Sequence, residues 1–366
     1  MRILLIGTGS VAVIKTPLIG RELIRRGFEV VGMLSEGGKA LLGEQTMRWA
    51  CNRYADLKEK DHIRTVEEVD CVAVAPATLN TISKFDHDIA DNDSSLLLAV
   101  AKGMGKPIVF APAMHGSLYR EELMKKIAKE KNVSVVPPVF EEGKHKMAEW
   151  IEVCDYIERT LRKGKFTDKK IVVTAGATRE YVDDVRFISN GACGKTGLEH
   201  AKEFWKEGAK VVLIGNVVGG VPRYLDYRKV FSPEEMAGII EKETKGAEMF
   251  VMSAAVGDFA VKKRDGKIPS KEKVVLELEP REKLWKKSKA KKNVLFKASW
   301  KLKRKEMEKQ AKGFLESSGA HAIIANDIGE FLMGGEENRV LFVAKDGIEE
   351  IAGAKEHIAK RIVLLL

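Results

Sequence analysis

Residues 171–197 read IVVTAGATREYVDDVRFISNGACGKTG and set the architecture of the second half of the chain. The stretch begins with the apolar run Ile171–Val173, which is typical of a buried parallel strand. A small, hydroxylated turn follows, and a second glycine turn, Gly191–Gly194, precedes a helix predicted over Leu198–Glu207. Backbone N–H groups of glycine turns and of helix starts bind anions. The stretch therefore predicts a nucleotide-handling site at the end of a strand.

Short apolar runs alternate with helical patterns throughout the chain. Strands are predicted at Ile3–Ile6, Glu29–Met33, Cys71–Ala75, Pro107–Ala111, Ser134–Val136, Ile171–Thr174, Lys210–Ile214, Met249–Ser253, Leu295–Ala298 and Ala322–Ala325, with a late hairpin of Val340–Ala344 and Ile348–Ile351. First-half helices are predicted near Leu18–Arg26, Val66–Val69, Ser94–Lys102 and Glu121–Lys131. This alternation predicts an α/β protein with two doubly wound, mostly parallel sheets. The basic segment Arg159–Lys170 is the predicted linker between domains 1–163 and 164–366.

The length, the apolar runs and the cysteine pattern limit the class of protein to which the chain can belong. The chain has 366 residues, enough for two domains with their own cores. It has no apolar run of about 18 residues, so we expect no membrane span. The four cysteines are scattered without metal-binding spacing, which favours reduced thiols and a cytoplasmic location.

The net charge of +10 is concentrated in one segment, Lys283–Lys305, which holds eleven Lys or Arg residues and no acidic residue. A nucleic-acid site would be expected to combine such a patch with interleaved aromatics and a recognised binding motif. The segment contains Trp285 and Trp300, but no such motif, so we expect no nucleic-acid partner. A solvated helix face or steering of a phosphate-bearing substrate remain as interpretations.

The first predicted strand runs into Gly7-Thr8-Gly9-Ser10-Val11-Ala12, which fits the dinucleotide pattern G-x-G-x-x-A. A nicotinamide site would carry an acid after the second strand to bind the ribose hydroxyls. This chain has Met33-Leu34-Ser35 there. A serine beside a glycine turn suits a terminal phosphate, as in a mononucleotide flavin, better than a ribose. A tight turn without a ligand is the alternative.

Further segments at predicted strand ends strengthen the flavin hypothesis. They are His62-Ile63 before the third strand, Ala75–Lys84 (APATLNTISK) at its end, and Ala111–His115 (APAMH) at the end of the fourth. Together with the first turn, this set resembles the flavin-containing cysteine decarboxylases, which implies a flavodoxin- or Rossmann-like domain that binds FMN. The residues that the resemblance assigns to the cofactor are Gly9, Ser10, Ser35, Thr78, Asn80, Thr81 and Met114.

The same resemblance implies that His62 is the catalytic base, and the pKa of histidine near neutrality suits a proton transfer. The chain departs from the family at two places. His115 stands where the family commonly has asparagine, and Phe140–Gly143, before Lys146–Glu149, lacks the lid cysteine that reprotonates the reduced intermediate. We take His115 as the candidate proton donor, with Cys154 as the nearest cysteine in sequence.

The stretch from Thr174 to Gly194 resembles the signature of phosphopantothenate–cysteine ligases. Residues in register are Thr174, Gly176, Thr178, Glu180, Asp183, Val185, Arg186, Ile188, Asn190 and Gly194, and downstream Ala254–Phe259, Lys267, Phe296, Ala325–Asp327 and Asn338 complete the pattern. Ala192-Cys193 replaces the usual Ser-Ser. A P-loop reading of Gly194-Lys195-Thr196 fails, because Ser189 stands where that motif needs its first glycine.

The ligase resemblance implies a Rossmann-like domain and activation of a carboxylate by CTP through an acyl-nucleotide. Its implied nucleotide-binding residues are Gly176, Ala192, Gly194, Ala254, Ala255, Asp258, Lys267 and Phe296. Lys267 would stabilise the charge at phosphorus, Asn190 would hold the acyl-nucleotide, and Asp258 would help to place the nucleotide or Mg²⁺. The sequence does not decide whether the nucleotide is CTP or ATP.

The two resemblances together cover nearly the whole chain, in the order found in the bifunctional phosphopantothenoylcysteine decarboxylase/phosphopantothenate–cysteine ligase family of coenzyme A synthesis. They imply 4′-phosphopantothenate, cysteine and CTP as substrates and FMN and Mg²⁺ as cofactors. They also imply a homo-oligomer with trimeric decarboxylase and dimeric ligase contacts. Two alternatives remain: an active ligase whose flavin-binding first domain is catalytically altered, and a nicotinamide-dependent oxidoreductase.

Overall fold

A computed structural model of the chain describes residues 1–57, 61–271, 273–331 and 334–366. These residues form two compact units, Met1–Lys163 and Gly164–Leu366. Among them, none of the helices combines the length and the apolar character that crossing a membrane requires.

The described part of the first unit contains nine strands and eight α-helices. The strands are β1 (Arg2–Gly7), β2 (Glu29–Leu34), β3 (Arg53–Tyr54), β4 (Cys71–Ala77), β5 (Ile108–Pro112), β6 (Met114–His115), β7 (Val133–Val135), β8 (Val139–Glu141) and β9 (Lys144–Lys146). The helices are α1 (Thr16–Arg25), α2 (Glu36–Lys39), α3 (Glu44–Ala50), α4 (His62–Glu67), α5 (Leu79–Asp86), α6 (Asp93–Gly103), α7 (Glu121–Ile127) and α8 (Trp150–Leu161).

The main sheet of the first unit is parallel, with the strand order β3-β2-β1-β4-β5-β7. Ile3, Leu4, Leu5 and Ile6 of β1 are fully buried, because helices cover both faces of the sheet. The chain moves outward from β1 to β3 and then crosses over to β4. Such a reversal opens a crevice at the carboxyl ends of β1 and β4, where α/β sheets bind ligands.

The second unit repeats this architecture with a larger sheet. Its described strands are β10 (Lys170–Gly176), β11 (Arg179–Tyr181), β12 (Phe187–Ser189), β13 (Lys210–Asn216), β14 (Asp226–Lys229), β15 (Met249–Met252), β16 (Phe259–Val261), β17 (Leu278–Pro280), β18 (Lys292–Ser299), β19 (Ala322–Asp327), β20 (Glu337–Ala344) and β21 (Gly347–Ala354). Its helices are α9 (Lys195–Lys206), α10 (Pro233–Glu243), α11 (Arg304–Ser318) and α12 (Lys355–Leu365).

The large sheet of the second unit has the strand order β14-β13-β10-β15-β18-β19-β20-β21. Its first six strands are parallel, and β20 and β21 add an antiparallel hairpin at one edge. The reversal of strand order falls between β10 and β15, so the ligand crevice is expected at Gly176 and the residues after Met252. The prediction of two doubly wound, mostly parallel sheets and of the late hairpin is confirmed.

Some predicted boundaries are wrong for local reasons. The helix predicted at Val66–Val69 begins at His62, because the carboxylate of Asp61 accepts the backbone N–H of Ile63 at 2.8 Å and caps the helix there. The helix predicted at Glu121–Lys131 ends at Ile127. The predicted linker Arg159–Lys170 is too long, since α8 continues to Leu161 and β10 begins at Lys170.

The basic segment Lys283–Lys305 is not a solvated helix face, so that interpretation is wrong. It contains a short 3-10 helix at Leu284–Lys287 and then β18, which is an interior strand of the sheet. Several of its lysines pair with acids from other segments: Lys283 with Asp258, Lys289 with Glu241 and Lys291 with Glu248. These pairs locally neutralise part of the surplus charge.

A buried ionic cluster joins α1 to α8 in the first unit. The guanidinium of Arg26, directly after α1, contacts Glu22 at 2.8 Å, Asp155 at 2.7 Å and Glu158 at 3.0 Å. All four side chains are at most 7% exposed. Burial opposes the charge of Arg26, but the neighbouring carboxylates outweigh it and raise the pKa of the guanidinium.

Replacing Arg26 by leucine should strongly destabilise the first unit, because three buried carboxylates would lose their shared counter-ion. We expect a loss of about 3–5 kcal/mol in the free energy of opening. Hydrogen exchange of α1 and α8 peptides in the full-length protein measures this loss. The control is Arg25→Leu, whose side chain is 63% exposed and also pairs with Glu22; it should cost at most about 1 kcal/mol. Equal effects of the two substitutions would contradict a buried network centred on Arg26.

Candidate active sites

A cavity of about 540 Å³ lies at the carboxyl ends of β1, β2 and β4 in the first unit. It has the size of an ordinary cofactor pocket. Five of the residues predicted to bind the flavin line it: Gly9, Ser35, Thr78, Asn80 and Thr81. Thr8, Lys84, Ser94 and Ser95 complete much of its polar wall. Sequence reasoning missed the two serines, which lie at the start of α6 and belong to no motif.

Side-chain hydrogen bonds fix the turns around this cavity. Ser35 Oγ accepts the N–H of Gly38 at 3.2 Å and begins α2. Thr78 begins α5, and its hydroxyl lies 3.1 Å from that of Thr81. The hydroxyl of Thr8 donates to the carbonyl of Pro76 at 2.7 Å and accepts the N–H of Thr78 at 3.2 Å. The ends of β1 and β4 are thereby held together.

An open depression of about 620 Å³ continues from this cavity, since Gly9, Thr78 and Asn80 line both. It contains the other two predicted cofactor residues, Ser10 and Met114, together with the candidate proton donor His115. The structure thus places these predicted residues of the first unit in two adjoining spaces.

The hydrogen bonds of His115 define its tautomer. Its Nδ1 accepts the backbone N–H of Ser117 at 3.2 Å and lies 2.8 Å from the Ser117 hydroxyl. Because Nδ1 accepts, the proton of the neutral ring is on Nε2. The ring is exposed, so its Nε2–H is available to a ligand in the depression.

The segment Phe140–Gly143, which lacks the lid cysteine, forms the turn of the hairpin β8–β9. Strand β9 pairs with β6, so that His115 lies opposite Lys144. The ring of His145 stacks on Tyr119 with 3.6 Å between centroids. The hairpin and the His115 strand are therefore one small sheet.

Cys154 is not a substitute for the missing thiol. It is fully buried in α8, where its sulfur faces the carbonyl of Ile19 at 3.8 Å. Burial raises the pKa of this thiol to about 12, which suppresses the thiolate. Among the described residues, Cys51 and Cys71 of the same unit are buried as well.

His62 lines neither of the two spaces as the described residues form them. It is the first residue of α4, with 42% of its side chain exposed, and its Nδ1 lies 3.8 Å from Asp61 Oδ1. The helix connects two parallel strands, so its start lies on the carboxyl side of the sheet. His62 is on the expected side of the sheet but outside the cavity of its own chain.

A smaller cavity, of about 150 Å³, lies at the strand-order reversal of the second unit. Six of the predicted nucleotide-binding residues line it: Gly176, Ala192, Gly194, Ala254, Ala255 and Phe296. Asn326 and Asn338, which also belong to the ligase pattern, line it as well.

Two glycines allow the backbone turns that form part of this cavity's wall. Gly176 ends β10 with φ +80°, and a side chain there would collide with the carbonyl of Asn216. Gly194 has φ +88° as the residue before α9, a conformation that glycine adopts without strain. The N–H of Ala255 donates to the carbonyl of Gly176 at 2.8 Å and ties the two strand ends together.

His200 supports the cavity from behind and was not predicted. It is 1% exposed, and its Nδ1–H donates to the carbonyl of Thr196 at 2.8 Å. Burial lowers its pKa to about 4, so the ring is neutral at physiological pH. The ring meets the edge of Phe296 at 5.4 Å between centroids and fixes that aromatic wall.

Three predicted catalytic or metal residues lie outside this cavity as the described residues form it. Asn190 is close, since its Nδ2 donates to the carbonyl of Ala255 at 3.1 Å. Lys267 is exposed, and Asp258 pairs with Lys283. The described residues contain no group of three His, Cys, Asp or Glu side chains placed to hold a metal ion. Mg²⁺ on a triphosphate takes only one or two carboxylates, so the role of Asp258 stays a prediction.

Both units match known protein families. A family model described as Flavoprotein matches residues 1–162, and one described as DNA/pantothenate metabolism flavoprotein C-terminal domain matches residues 166–366. The coenzyme A biosynthesis bifunctional protein CoaBC of Methanocaldococcus jannaschii is 34% identical over 99% of this chain and 92% of its own length. This chain belongs to the CoaBC family. The CoaBC protein of Thermococcus kodakarensis is 36% identical, over 99% of this chain and 93% of its own.

A solved structure described as the C-terminal domain of a coenzyme A biosynthesis bifunctional protein CoaBC covers 56% of this chain and 96% of its own, with 26% identity and a TM-score of 0.45. Both units of the present chain lie within the alignments to the two archaeal CoaBC proteins, which cover 99% of it. The alignment with the two archaeal relatives extends over both cavities.

Asp183 holds the segment that carries Lys267, although Lys267 itself is exposed. Its carboxylate is fully buried and accepts the N–H groups of Val185 at 2.8 Å, Arg186 at 2.6 Å and Ile268 at 3.1 Å. Desolvation raises the pKa of Asp183, but the three backbone donors outweigh it, so its pKa is lowered. The buried carboxylate therefore connects the signature loop to the lysine segment.

Asp183→Asn should loosen this connection, because an amide NH₂ would face backbone donors. We expect faster hydrogen exchange in residues 264–268, measured by mass spectrometry at neutral pH. Since the pKa is lowered, the stabilisation is complete at neutral pH and lost as the pH falls below the ordinary aspartate value of about 3.9. The control Asp184→Asn removes an exposed partner of Gly266 and Lys263 and should have a smaller effect. Unchanged exchange in Asp183→Asn would contradict the tether.

Proposed function

We propose that the second unit joins 4′-phosphopantothenate to cysteine with CTP, and that the first unit decarboxylates the product with FMN to 4′-phosphopantetheine. The observation that carries the proposal is the pair of cavities, each at the strand-order reversal of its own sheet and each lined by its predicted residues. The proposal assigns the ligase to residues 164–366 and the decarboxylase to residues 1–163. The product of one reaction is the substrate of the other.

The cavity of the first unit fits a flavin mononucleotide by size and by its donors. Its walls offer the hydroxyls of Ser35, Thr78 and Thr81. Ser35 is the first residue after β2, and the acid Glu36, which follows it, also lines the cavity. When bound, the flavin supplies a two-electron acceptor for the thiol-bearing carbon of the substrate. Asn80 and Met114 border the adjoining depression, where the substrate would lie.

His115 provides the proton in this half of the proposal. Donation converts the imidazolium into the neutral ring, so the acid form of His115 carries a proton on both ring nitrogens. Nε2–H then faces the depression, and Nδ1–H donates to the Ser117 hydroxyl, 2.8 Å away. This role replaces the cysteine that Phe140–Gly143 lacks.

His62 acts, in this proposal, on a ligand held by a neighbouring copy of the chain. Its ring is exposed and lines neither space of its own unit. The expected homo-oligomer would bring such a surface histidine to a second cavity. Base catalysis by His62 therefore rests on the oligomer.

In the second unit, a carboxylate oxygen of phosphopantothenate attacks the α-phosphorus of CTP, and the bond to the pyrophosphate oxygen breaks. The cysteine amine then attacks the acyl carbon, and CMP leaves with the bonding electrons. Gly194 and the first residues of α9 present backbone N–H groups to the phosphates. Gly176, Ala255 and Phe296 form walls of the cavity. Lys267 balances the charge at phosphorus, Asn190 holds the acyl-nucleotide, and Asp258 places Mg²⁺.

Lys267→Gln should abolish amide formation by at least about 100-fold while decarboxylation of supplied phosphopantothenoylcysteine continues. Purified protein is incubated with phosphopantothenate, cysteine, Mg²⁺ and either CTP or ATP, and the products are weighed by mass spectrometry. Bound FMN is measured from the visible absorbance of the same preparation. Lys262→Gln, an exposed lysine of the same region, is the matched control. A colourless wild-type protein without CTP-dependent product would refute the proposed function.

His115→Ala should leave CO₂ release intact but yield a product two hydrogens lighter than phosphopantetheine, because the reduced cofactor lacks its proton donor. Single-turnover mixtures analysed by mass spectrometry distinguish the two products. The control His87→Ala removes a histidine that borders neither space. Normal phosphopantetheine from His115→Ala would show that another group delivers the proton.

A further inference from the structure

Lys355 is a buried lysine in the wall of the second unit's cavity. It is the first residue of α12 and is only 7% exposed, yet it lines the cavity beside Cys193 and Lys195. Helix α12 packs against α9, whose first residue is Lys195. The two lysines therefore approach the glycine turn Gly191–Gly194 from two helix starts.

The ammonium of Lys355 has no partner among the described residues, since neither a hydrogen bond nor an ion pair reaches its Nζ there. Two other lysines of this unit, by contrast, have carboxylate partners. Lys206, 1% exposed, donates to Glu203 at 2.9 Å, and Lys195 pairs with Glu336. Burial disfavours the charged form and lowers the pKa of Lys355, the nearby charge of Lys195 acts in the same direction, and the charge of Glu336 offsets them only in part. The free protein thus keeps a partly uncompensated cation at the cavity wall.

The remaining charges near the cavity compensate Lys355 only in part. Glu336 is occupied by Lys195, and Glu337 lines the cavity as an exposed carboxylate. A methionine of similar length would fill the same volume without the cost of burying a charge. A lysine in this position is explained by an anion that arrives with the ligand.

We propose that Lys355 binds a phosphate group of the ligand, together with Lys195 and the backbone N–H groups at the start of α9. This inference rests on the proposed ligase function and adds a residue that the signature does not contain. An oxygen of a phosphate or pyrophosphate group accepts from the ammonium and supplies its missing counter-charge. The phosphate belongs either to the nucleoside triphosphate or to phosphopantothenate, two sources of the same chemistry.

The test compares Lys355→Met with Lys360→Met in the full-length protein. Lys360 is exposed on the same helix and borders no part of the cavity, which makes it the matched control. Without ligand, Lys355→Met should unfold at an equal or higher temperature than wild type, because a costly buried charge is removed. Affinity for magnesium-free pyrophosphate, measured by calorimetry, should fall roughly 10- to 100-fold. Lys360→Met should match wild type in both measurements.

Steady-state kinetics identify the source of the phosphate. If Lys355 holds the triphosphate, Lys355→Met raises the KM for CTP and leaves that for phosphopantothenate unchanged. If it holds the phosphate of phosphopantothenate, the reverse is expected, and the competing phosphate ester inhibits wild type but not the variant. Either pattern supports the phosphate-binding role.

Two results would overturn the inference. One is pyrophosphate affinity and both KM values unchanged in Lys355→Met; the other is a wild-type protein that binds neither pyrophosphate nor CTP. A failure of the proposed ligase function looks different, because wild type would then bind pyrophosphate through Lys355 without forming the amide. The binding and activity measurements therefore separate the two failures.

Discussion

Parallel strand pairing is the constraint on which the rest of each unit depends. Parallel neighbours cannot be joined by tight hairpins, so each connection crosses a face of the sheet, mostly as a helix. Those helices bury both faces, and all of them begin at the carboxyl edge of the strands. In both units the strand order then reverses beside the first strand, β1 or β10. The cavities, the glycine turns and the capping serine and threonine side chains are all found at that edge.

The strands could be predicted because burial on both faces of the sheet determines which residues they contain. Runs such as Ile3–Ile6 and Ile171–Val173 are apolar at every position, as a strand covered on both faces requires. Helix ends were less predictable, since they depend on single side chains. Asp61 begins α4 four residues before the predicted start, and no periodicity reports such a cap. In the basic segment, the strand predicted at Leu295–Ala298 is part of β18. The interpretation of the segment as a solvated helix face was wrong, because charge patterning does not reveal which lysines meet distant acids, as Lys291 meets Glu248.

The predicted site residues divide in the same way, into those fixed by local sequence and those that depend on tertiary contacts. Motif glycines and hydroxyls are found at the cavities because they act through the backbone turn that they form, and the turn is local in sequence. The roles of His62 and Lys267 are carried over from a resemblance, and neither side chain reaches a cavity wall in the described part of a single chain. No sequence pattern indicated a role for His200 or Lys355. A histidine inside a helix and a lysine at a helix start are ordinary in sequence, and only their burial against the cavity distinguishes them.

The small sheet of β6, β8 and β9 couples two events that an enzyme normally controls separately. Because β9 pairs with both β8 and β6, the exposed tip at Phe140 and the ring of His115 are parts of one hydrogen-bonded body. A displacement of the tip would therefore also shift the strand that carries His115, the proposed proton donor. In the proposed mechanism, ligand access to the depression and proton delivery within it are mechanically linked through this one sheet.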